Sequence, residues 1–544
     1  MQNEDASTSF PRVEQAELLI LLLISLAGFG LLAKRLRVPE PIILVLGGLV
    51  LSLIPGLPEV ELQPEYVFLI VLPPLLYAQA WFTSWKDFCD NLRSISMLAV
   101  GLVLATTTAV ALVAHALVPT MPLAACFVLG AIISPPDAVA ASAIAQRLKL
   151  PKKMVTILEG ESLVNDATGL VAYKFALAAV ATGSFSLAHA SGQFLLVAVG
   201  GVVVGLVVAW IFHLLLRWIR DDLIDIVLSL VALYAAYIGA ERLHVSGVLA
   251  TVTAGIWLGA RSPEMLSAST RLTATAFWNT LVFLLNGVVF MLIGLQLPRV
   301  VSNLSERSWP MLLCHAAILG GVVILTRIIW VFPGAILPRK WSARIRARDP
   351  MPPMSNIAVI AWCGMRGVVS LAAALAIPHI IAPGKTFPER DLILFFTFCI
   401  ILITLVGQGL SLPWVIRKLK VQTGHSDEHQ EREARTAATH AALARIETFA
   451  AEEKFTPEAI KRVESLYQER LHHFGDEIAD TLGWSPERQH SIETRRLRRT
   501  AVEAERKQLI AMHREHKLSK ELLHRLEHEL DLEEARLAET SPTR

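Results

Sequence analysis

The sequence has almost no imbalance of charge: 50 Lys and Arg residues nearly match 48 Asp and Glu residues, which leaves a net charge of +2. This balance gives no indication of a nucleic-acid partner. No glycine-rich phosphate-binding loop is present, which argues against an ATP-driven pump. No Ser-His or metal-ligand pair occurs at a convergent spacing, which argues against a hydrolase. We therefore expect a protein that is not an enzyme and needs no cofactor.

Two further patterns are missing. The cysteines lie singly, without metal-ligand spacing, and we interpret them as packing residues; they are Cys89, Cys126, Cys314, Cys363 and Cys399. Residues 1–17 lack the basic region of a secretory signal and carry acidic residues instead. We expect the first apolar segment to remain part of the protein.

Apolar residues dominate the composition. The chain is 53% hydrophobic, with a mean hydropathy of +0.50, which indicates an all-α polytopic membrane protein. About thirteen segments are long and apolar enough to be transmembrane helices. They lie near 16–33, 41–57, 65–83, 92–118, 122–147, 154–182, 191–217, 222–241, 245–260, 272–297, 309–337, 355–383 and 391–417.

A change in composition near Lys420 divides the chain. Residues 1–420 form the predicted transmembrane domain, and residues 421–544 form a charged, mostly helical tail that we expect to be cytoplasmic and regulatory. The apolar residues Ile460, Val463, Tyr467 and Leu471 have helical spacing. The histidines of the tail suit either solvated helix faces or a pH sensor.

Basic residues occur on alternate loops, as in the clusters 34–37, 147–153 and 339–348. The positive-inside rule assigns these loops to the cytoplasm. With an odd number of spans, the N-terminus lies outside and the C-terminus inside. We expect a multi-pass protein of the cell (inner) membrane, surrounded by membrane lipid.

Several ionisable residues lie deep in the apolar segments. Residues 160–166, Gly-Glu-Ser-Leu-Val-Asn-Asp, place Glu161, Ser162, Asn165 and Asp166 on one side of the sixth span. Such residues usually face a bundle interior or a watery cavity, because a charge at the membrane centre costs roughly 2.5–3.5 kcal/mol even on insertion scales. We expect these four residues to form one cluster.

Two spans should be interrupted. Pro135 and Pro136 break the fifth span beside Asp137, and the glycines flanking Arg366 permit a break in the twelfth. Freed backbone groups survive in lipid only where protein buries them or a cavity solvates them. Paired broken helices are typical of inverted-repeat transporters, with spans 1–6 and 8–13 as the repeats.

The two deep arginines also need partners. We expect Arg327 to pair with Glu161, because an unpaired guanidinium would be costly there. Arg366 suits exposed carbonyls or the negative end of a half-helix. For both residues a structural role and a direct functional role remain open.

The motifs together resemble those of the monovalent cation:proton antiporter-1 family, the sodium/proton exchangers. The segments that resemble the family are residues 72–76 (Leu-Pro-Pro-Leu-Leu), 160–166, 243–250 and 364–371. The resemblance implies a homodimer, each protomer having a dimerisation domain and a core bundle that moves like an elevator. It also implies a function in pH homeostasis and sodium transport.

The resemblance further implies specific site residues. Asp166 is the shared site for cation and proton, helped by Ser162, Asp137 and the backbone of the fifth-helix break, with Glu161 paired to Arg327. Family members often carry Thr-Asp-Pro at this break, whereas this chain has Pro136-Asp137-Ala138, so the Pro136 backbone must replace a threonine ligand. Ala78 and Gln79 stand where relatives often carry an acidic residue.

A desolvated Asp166 can hold a proton or a small cation near neutral pH, but binding one displaces the other. This competition predicts secondary active antiport of H+ against a monovalent cation, with Na+ first and K+ or Li+ as alternatives. Because Asn165 is neutral where electrogenic relatives carry a second aspartate, we expect electroneutral one-to-one exchange. A cation channel and a proton-coupled symporter are the alternatives on the same fold.

Overall fold

The computed structural model describes residues 12–54, 64–148, 150–183, 187–219, 221–302, 304, 308–382 and 385–421, together with isolated positions of the tail. The described chain is mostly helical, as predicted. The chain divides into two compact units, Met1–Gly424 and His425–Arg544. The predicted helical pattern of the tail lies almost wholly outside the described residues.

The first part of the membrane unit contains seven helices. They are α1 (Arg12–Leu36), α2 (Glu40–Leu51), α3 (Pro64–Phe82), α4 (Trp85–Asp90), α5 (Leu92–Leu117), α6 (Leu123–Ile133) and α7 (Ala138–Arg147). Single π-helical turns lie within α3 at Val67–Val71 and within α5 at Met97–Leu102.

The second part contains eleven helices among the described residues. These helices are α8 (Lys152–Thr182), α9 (Leu187–Ile219), α10 (Asp222–Arg242), α11 (Gly247–Met265), α12 (Ala268–Leu295), α13 (Leu297–Ser302), α14 (Trp309–Trp341), α15 (Ala343–Arg348), α16 (Met354–Trp362), α17 (Val368–Leu375) and α18 (Arg390–Lys418). A small antiparallel hairpin, β1 (Ile380–Ala382) and β2 (Lys385–Thr386), precedes α18.

Eight helices among the described residues are long and apolar enough to cross a membrane. They lie within α3, α5, α8, α9, α10, α12, α14 and α18. α2 and α6 are apolar but shorter. Helix α9 is the least buried of these eight, with 17% of its apolar window inside the protein. Its exposed leucines and valines are suited to contact with lipid tails.

Both predicted helix breaks are present. Helix α6 ends at Ile133 and α7 begins at Ala138, so Pro135 and Pro136 lie in the interruption. Helix α16 ends at Trp362 and α17 begins at Val368, leaving Cys363–Gly367 non-helical. The N–H of Asp137 donates to the carbonyl of Met365 at 2.7 Å. The two interruptions therefore meet in space and share a backbone hydrogen bond.

The twelfth predicted span ends earlier than expected. We predicted an apolar segment through residue 383, but α17 ends at Leu375 and the chain turns into the hairpin. Pro378 follows shortly after the helix end, and a proline cannot continue a helix because it lacks the N–H donor. The side chain of Arg390 donates to the carbonyls of Ile377 and Leu375, at 2.8 and 3.1 Å, and caps this end.

Small residues let some helices approach closely. A Cβ atom at Gly48 of α2 would collide with the backbone carbonyl of Met291 in α12, and one at Gly294 would collide with the backbone of α2 at Val45. Close backbone approach of this kind is a common way for membrane helices to pack. It joins α2 firmly to α12, the helix that carries Asn286 towards the centre of the bundle.

An aspartate at one end of the bundle forms salt bridges with three basic side chains from different helices. Asp349, in the loop after α15, accepts from Arg93 of α5 at 2.9 Å, Lys153 of α8 at 2.7 Å and Arg339 of α14 at 2.6 Å. Partial burial acts to raise the pKa of the Asp349 carboxyl. The hydrogen bond from Lys153 and the charges of Arg339 and Arg93 outweigh it and hold the pKa below its usual value.

We expect Asp349→Asn to lower the apparent melting temperature in detergent. Because the pKa of Asp349 is depressed in the folded state, its stabilising effect is present above the ordinary carboxyl pKa and is lost as the pH falls through the folded-state value. The melting difference between Asp349→Asn and the unsubstituted chain should be constant above about pH 5 and shrink below about pH 4. Asp90→Asn, at an exposed position of α4, is the matched control. A difference that grew on acidification would contradict this account.

Candidate functional site

The breaks form part of a small cavity of about 40 Å³. Its walls come from α3, the break between α6 and α7, α8, α12 and the start of α17. The polar side chains that line it are Gln79, Asp137, Ser162, Asp166, Asn286 and Ser370. The remaining wall is largely leucine, valine and proline. Two carboxylates in apolar surroundings favour the binding of a small positive charge.

Helix α8 separates its four polar residues into two neighbouring rows. Ser162 and Asp166, four residues apart, line the cavity. Glu161 and Asn165 lie about 100° around the same helix and are almost wholly buried, at 1% and 0% exposure. The predicted single cluster is therefore two adjacent sets: one lines the cavity, and the other bonds to neighbouring elements.

Asp137 caps α7 as well as lining the cavity. It lies immediately before Ala138, the first residue of that helix, and its Oδ1 accepts from the N–H of Val139 at 2.8 Å. A carboxylate at a helix N-terminus is stabilised by the free amides and the helix dipole. A Cβ atom at Gly367 would collide with this carboxylate, so only glycine leaves room for it at the second break.

Asn165 holds the first break in place. Its Nδ2 donates to the carbonyl oxygen of Pro136 at 2.8 Å, which satisfies one of the backbone groups that the interruption frees. A carbonyl oxygen has two lone pairs, so the Pro136 carbonyl can accept a second partner. The predicted backbone ligand is therefore chemically compatible with this contact.

The side chain of Arg366 donates to three backbone carbonyls. Its Nε donates to Ile133 at 2.9 Å and its Nη2 to Ser134 at 3.2 Å, both at the C-terminal end of α6, and its Nη1 donates to Gly364. The negative end of a half-helix attracts a cation. Buried to 1% exposure, the guanidinium supplies donors to both broken helices at once.

Arg327 and Glu161 form a buried two-point pair. Nη1 and Nη2 of Arg327 donate to Oε1 and Oε2 of Glu161 at 2.5 and 2.7 Å, and both side chains are 1% exposed. Nε donates further to the carbonyl of Ile360 in α16, at 3.2 Å. This pair joins α8, α14 and α16 around the site.

The charges that face the cavity are therefore the carboxylates. Among the described residues that line it, none is lysine or arginine, because Arg327 and Arg366 bond to other groups. An anion would find no counter-charge in this cavity, whereas a cation or a proton would find two carboxylates. Neither Asp166 nor Asp137 is among the described residues that form salt bridges.

Asn286 and Ser370 line the cavity but are not among the site residues predicted from the sequence. Asn286 interrupts the apolar run Leu284-Leu285-Asn286-Gly287-Val288 in α12, and Ser370 follows the glycine-rich break. A lone amide within a membrane span is itself an indication of function. Its relation to Asp166 depends on packing between distant helices, and no local pattern encodes that packing.

The family model for the sodium/hydrogen exchanger transmembrane domain matches residues 19–418. The chain belongs to the sodium/hydrogen exchanger family. The resemblance drawn from the sequence motifs is thus confirmed. The matched region contains the cavity and both helix breaks.

Relatives extend over nearly the whole chain. An uncharacterised Na+/H+ exchanger of Mycobacterium bovis is 35% identical over 93% of this chain and 93% of its own. The uncharacterised Na+/H+ exchanger YjcE of Escherichia coli is 33% identical over 96% of this chain and 98% of its own. A Bacillus subtilis protein named sodium, potassium, lithium and rubidium/H+ antiporter is 34% identical over 73% of this chain and 61% of its own.

The fold has a solved counterpart. The sodium/proton antiporter MjNhaP1 of Methanocaldococcus jannaschii aligns with a TM-score of 0.58 at 22% identity, covering 75% of this chain and 99% of that one. This similarity shows that the exchanger shares its helical membrane fold with that antiporter.

For Arg327→Ala we expect loss of stability more than altered ion selectivity. The substitution leaves Glu161 buried without its counter-charge, and breaking such a pair typically costs about 3–5 kcal/mol. The apparent melting temperature in detergent should fall markedly, whereas the relative rates with Li+, Na+ and K+ should change little. The double substitution Glu161→Gln with Arg327→Met should recover much of the loss. A change of selectivity at unchanged melting temperature would refute the structural role.

Proposed function

We propose that the chain is a secondary active antiporter that exchanges a monovalent cation for a proton at Asp166. The observation that carries this proposal is the cavity itself, where Asp166 faces a small, mostly apolar space beside Ser162 and Asp137 without a cationic side chain in its described lining. Membership of the sodium/hydrogen exchanger family supports the same reaction.

The mechanism is competition at one carboxylate. Asp166 is 7% exposed, so the protein has to neutralise its charge with either a proton or a cation. If the site changes its side of the membrane only when occupied, the downhill flow of one ion drives the other uphill. Asp137 and the Pro136 carbonyl are further candidate ligands, while Asn165, Glu161, Arg327 and Arg366 hold the helices that carry them.

The transported cation is a hard monovalent ion. Oxygen atoms of carboxylates, hydroxyls and carbonyls suit such ions. The relative from Bacillus subtilis is named for sodium, potassium, lithium and rubidium, and a Pseudomonas aeruginosa relative, 32% identical, is named as a Na+/H+ antiporter. We propose Na+ as the main substrate, with K+ and Li+ as further candidates.

The finer architecture forms part of the same proposal. About thirteen spans would form two inverted repeats, with the interruptions between α6 and α7 and between α16 and α17 at corresponding positions. The protein would be a homodimer in the inner membrane, with its N-terminus outside, its C-terminus in the cytoplasm, and residues 421–544 as a regulatory tail.

The alternatives are less consistent with the cavity. A proton-coupled symporter of anions would need a free cationic side chain, and none of the described lining residues supplies one. A channel would need a continuous open path, whereas the carboxylates lie in a cavity of about 40 Å³ between packed helices. Competition between a cation and a proton at Asp166 requires neither a free cationic side chain nor a continuous open path.

We expect Asp166→Asn to abolish Na+-dependent proton movement in reconstituted vesicles. The amide is similar in size but can neither release a proton nor neutralise a cation. The exchange rate should therefore fall below about 1% of the rate of the unsubstituted chain. Dimer assembly, measured by gel filtration with light scattering, should be unchanged. Asp90→Asn, the same change at an exposed position, should keep full activity. Exchange that survived in Asp166→Asn would contradict the assignment.

Exchange should also move no net charge. One cation leaving Asp166 is replaced by one proton, so the initial rate of Na+/H+ exchange should not depend on the membrane potential. The measurement is the rate of proton movement in vesicles whose potential is set by a gradient of the permeant anion thiocyanate, because K+ is itself a candidate substrate. A rate that rises with an inside-negative or inside-positive potential would indicate unequal stoichiometry.

A further inference from the structure

Two oxygen atoms of the cavity residues have no hydrogen-bond donor among the described residues. They are Oδ1 of Asn286 and Oγ of Ser370, and both side chains line the cavity that also contains Asp166. Asn286 is 9% exposed and Ser370 is 1% exposed. A buried acceptor without a donor is unfavourable. These oxygens are therefore suited to a positive partner that enters the cavity.

The two residues come from different elements. Asn286 belongs to α12, which carries neither Asp166 nor a helix break, and Ser370 lies in the first turn of α17, directly after the second break. Together with Ser162 and Asp166 on α8, they place oxygen-bearing side chains on three separate helices around one cavity. A small cation binds best where oxygens surround it.

A packing role does not explain Asn286. It lies in an apolar run of α12, where leucine would be the less costly residue because it buries no polar group. Polar residues inside membrane spans usually mark an ion or substrate pathway. Its Oδ1 contributes a strong dipole without a net charge, so it attracts a cation but leaves the single charge of Asp166 to be exchanged.

We propose that Asn286 and Ser370 complete the oxygen ligands of the monovalent cation at Asp166, and that Asn286 determines the preference among alkali cations. This inference rests on the proposed antiport function. Selection among ions of equal charge depends on the size of the cavity and on the number and strength of the oxygen dipoles that replace water. Removing one such dipole changes the binding of each cation by a different amount, because smaller ions hold their ligands more strongly.

The test is cation-dependent proton movement in vesicles that contain the full chain, measured with Li+, Na+ and K+. Asn286→Leu, which removes the amide at similar size, should raise the KM for Na+ at least about tenfold and reduce the differences between the three cations. Ser370→Ala should raise the KM for Na+ by a smaller factor. Asn286→Asp keeps an oxygen in place and should keep KM at or below that of the unsubstituted chain.

The matched control is Asn279→Leu, the same substitution at an exposed position of α12, which should leave KM and cation preference unchanged. Melting temperatures in detergent check that the variants fold, and Asn286→Ala replaces Asn286→Leu, with the same expectation, if the leucine variant does not. An unchanged KM and preference in the folded variant would overturn the assignment of Asn286. If the unsubstituted chain itself exchanged no cation for protons, the proposed antiport would fail instead.

Discussion

A membrane offers almost no hydrogen-bond partners, so every charge and every freed backbone group within it has to find one in the protein. Arg366 supplies donors to carbonyls at the end of α6 and at the second break. Asn165 bonds to the carbonyl of Pro136, and Asp137 accepts from the first turn of α7. The broken helices on which the site depends exist because these side chains compensate for the missing backbone bonds.

The same constraint divides the buried ionisable groups into fixed and exchangeable ones. Glu161 and Arg327 neutralise each other through two short hydrogen bonds, and Arg366 is held by carbonyl oxygens. Asp166 has no such permanent neutraliser among the described ion pairs, and it faces the cavity. A group whose charge the protein leaves uncompensated has to be neutralised by something mobile, which is the physical basis of exchange.

Much of the fold and of the candidate site was predictable from local sequence patterns. Long apolar runs identify the helices, Pro135-Pro136 and the glycines around Arg366 identify the breaks, and residues 160–166 identify the charged face of α8. The shorter end of α17 was missed, because apolar composition does not distinguish a helix from the hairpin that follows Pro378. Asn286 was missed because its position beside Asp166 depends on how α12 packs against α8 and α17, and residues far apart in sequence determine that packing.

The contact between Arg366 and the carbonyls of Ile133 and Ser134 joins residues more than 230 positions apart in the chain. During synthesis, α6 therefore leaves the ribosome long before its guanidinium partner has been made. The carbonyls at its end cannot remain unsatisfied in lipid, so this end of α6 has to stay near water or within the insertion machinery until Arg366 has been made. The arrangement that creates the ion site thus also imposes an order on how the protein is assembled in the cell.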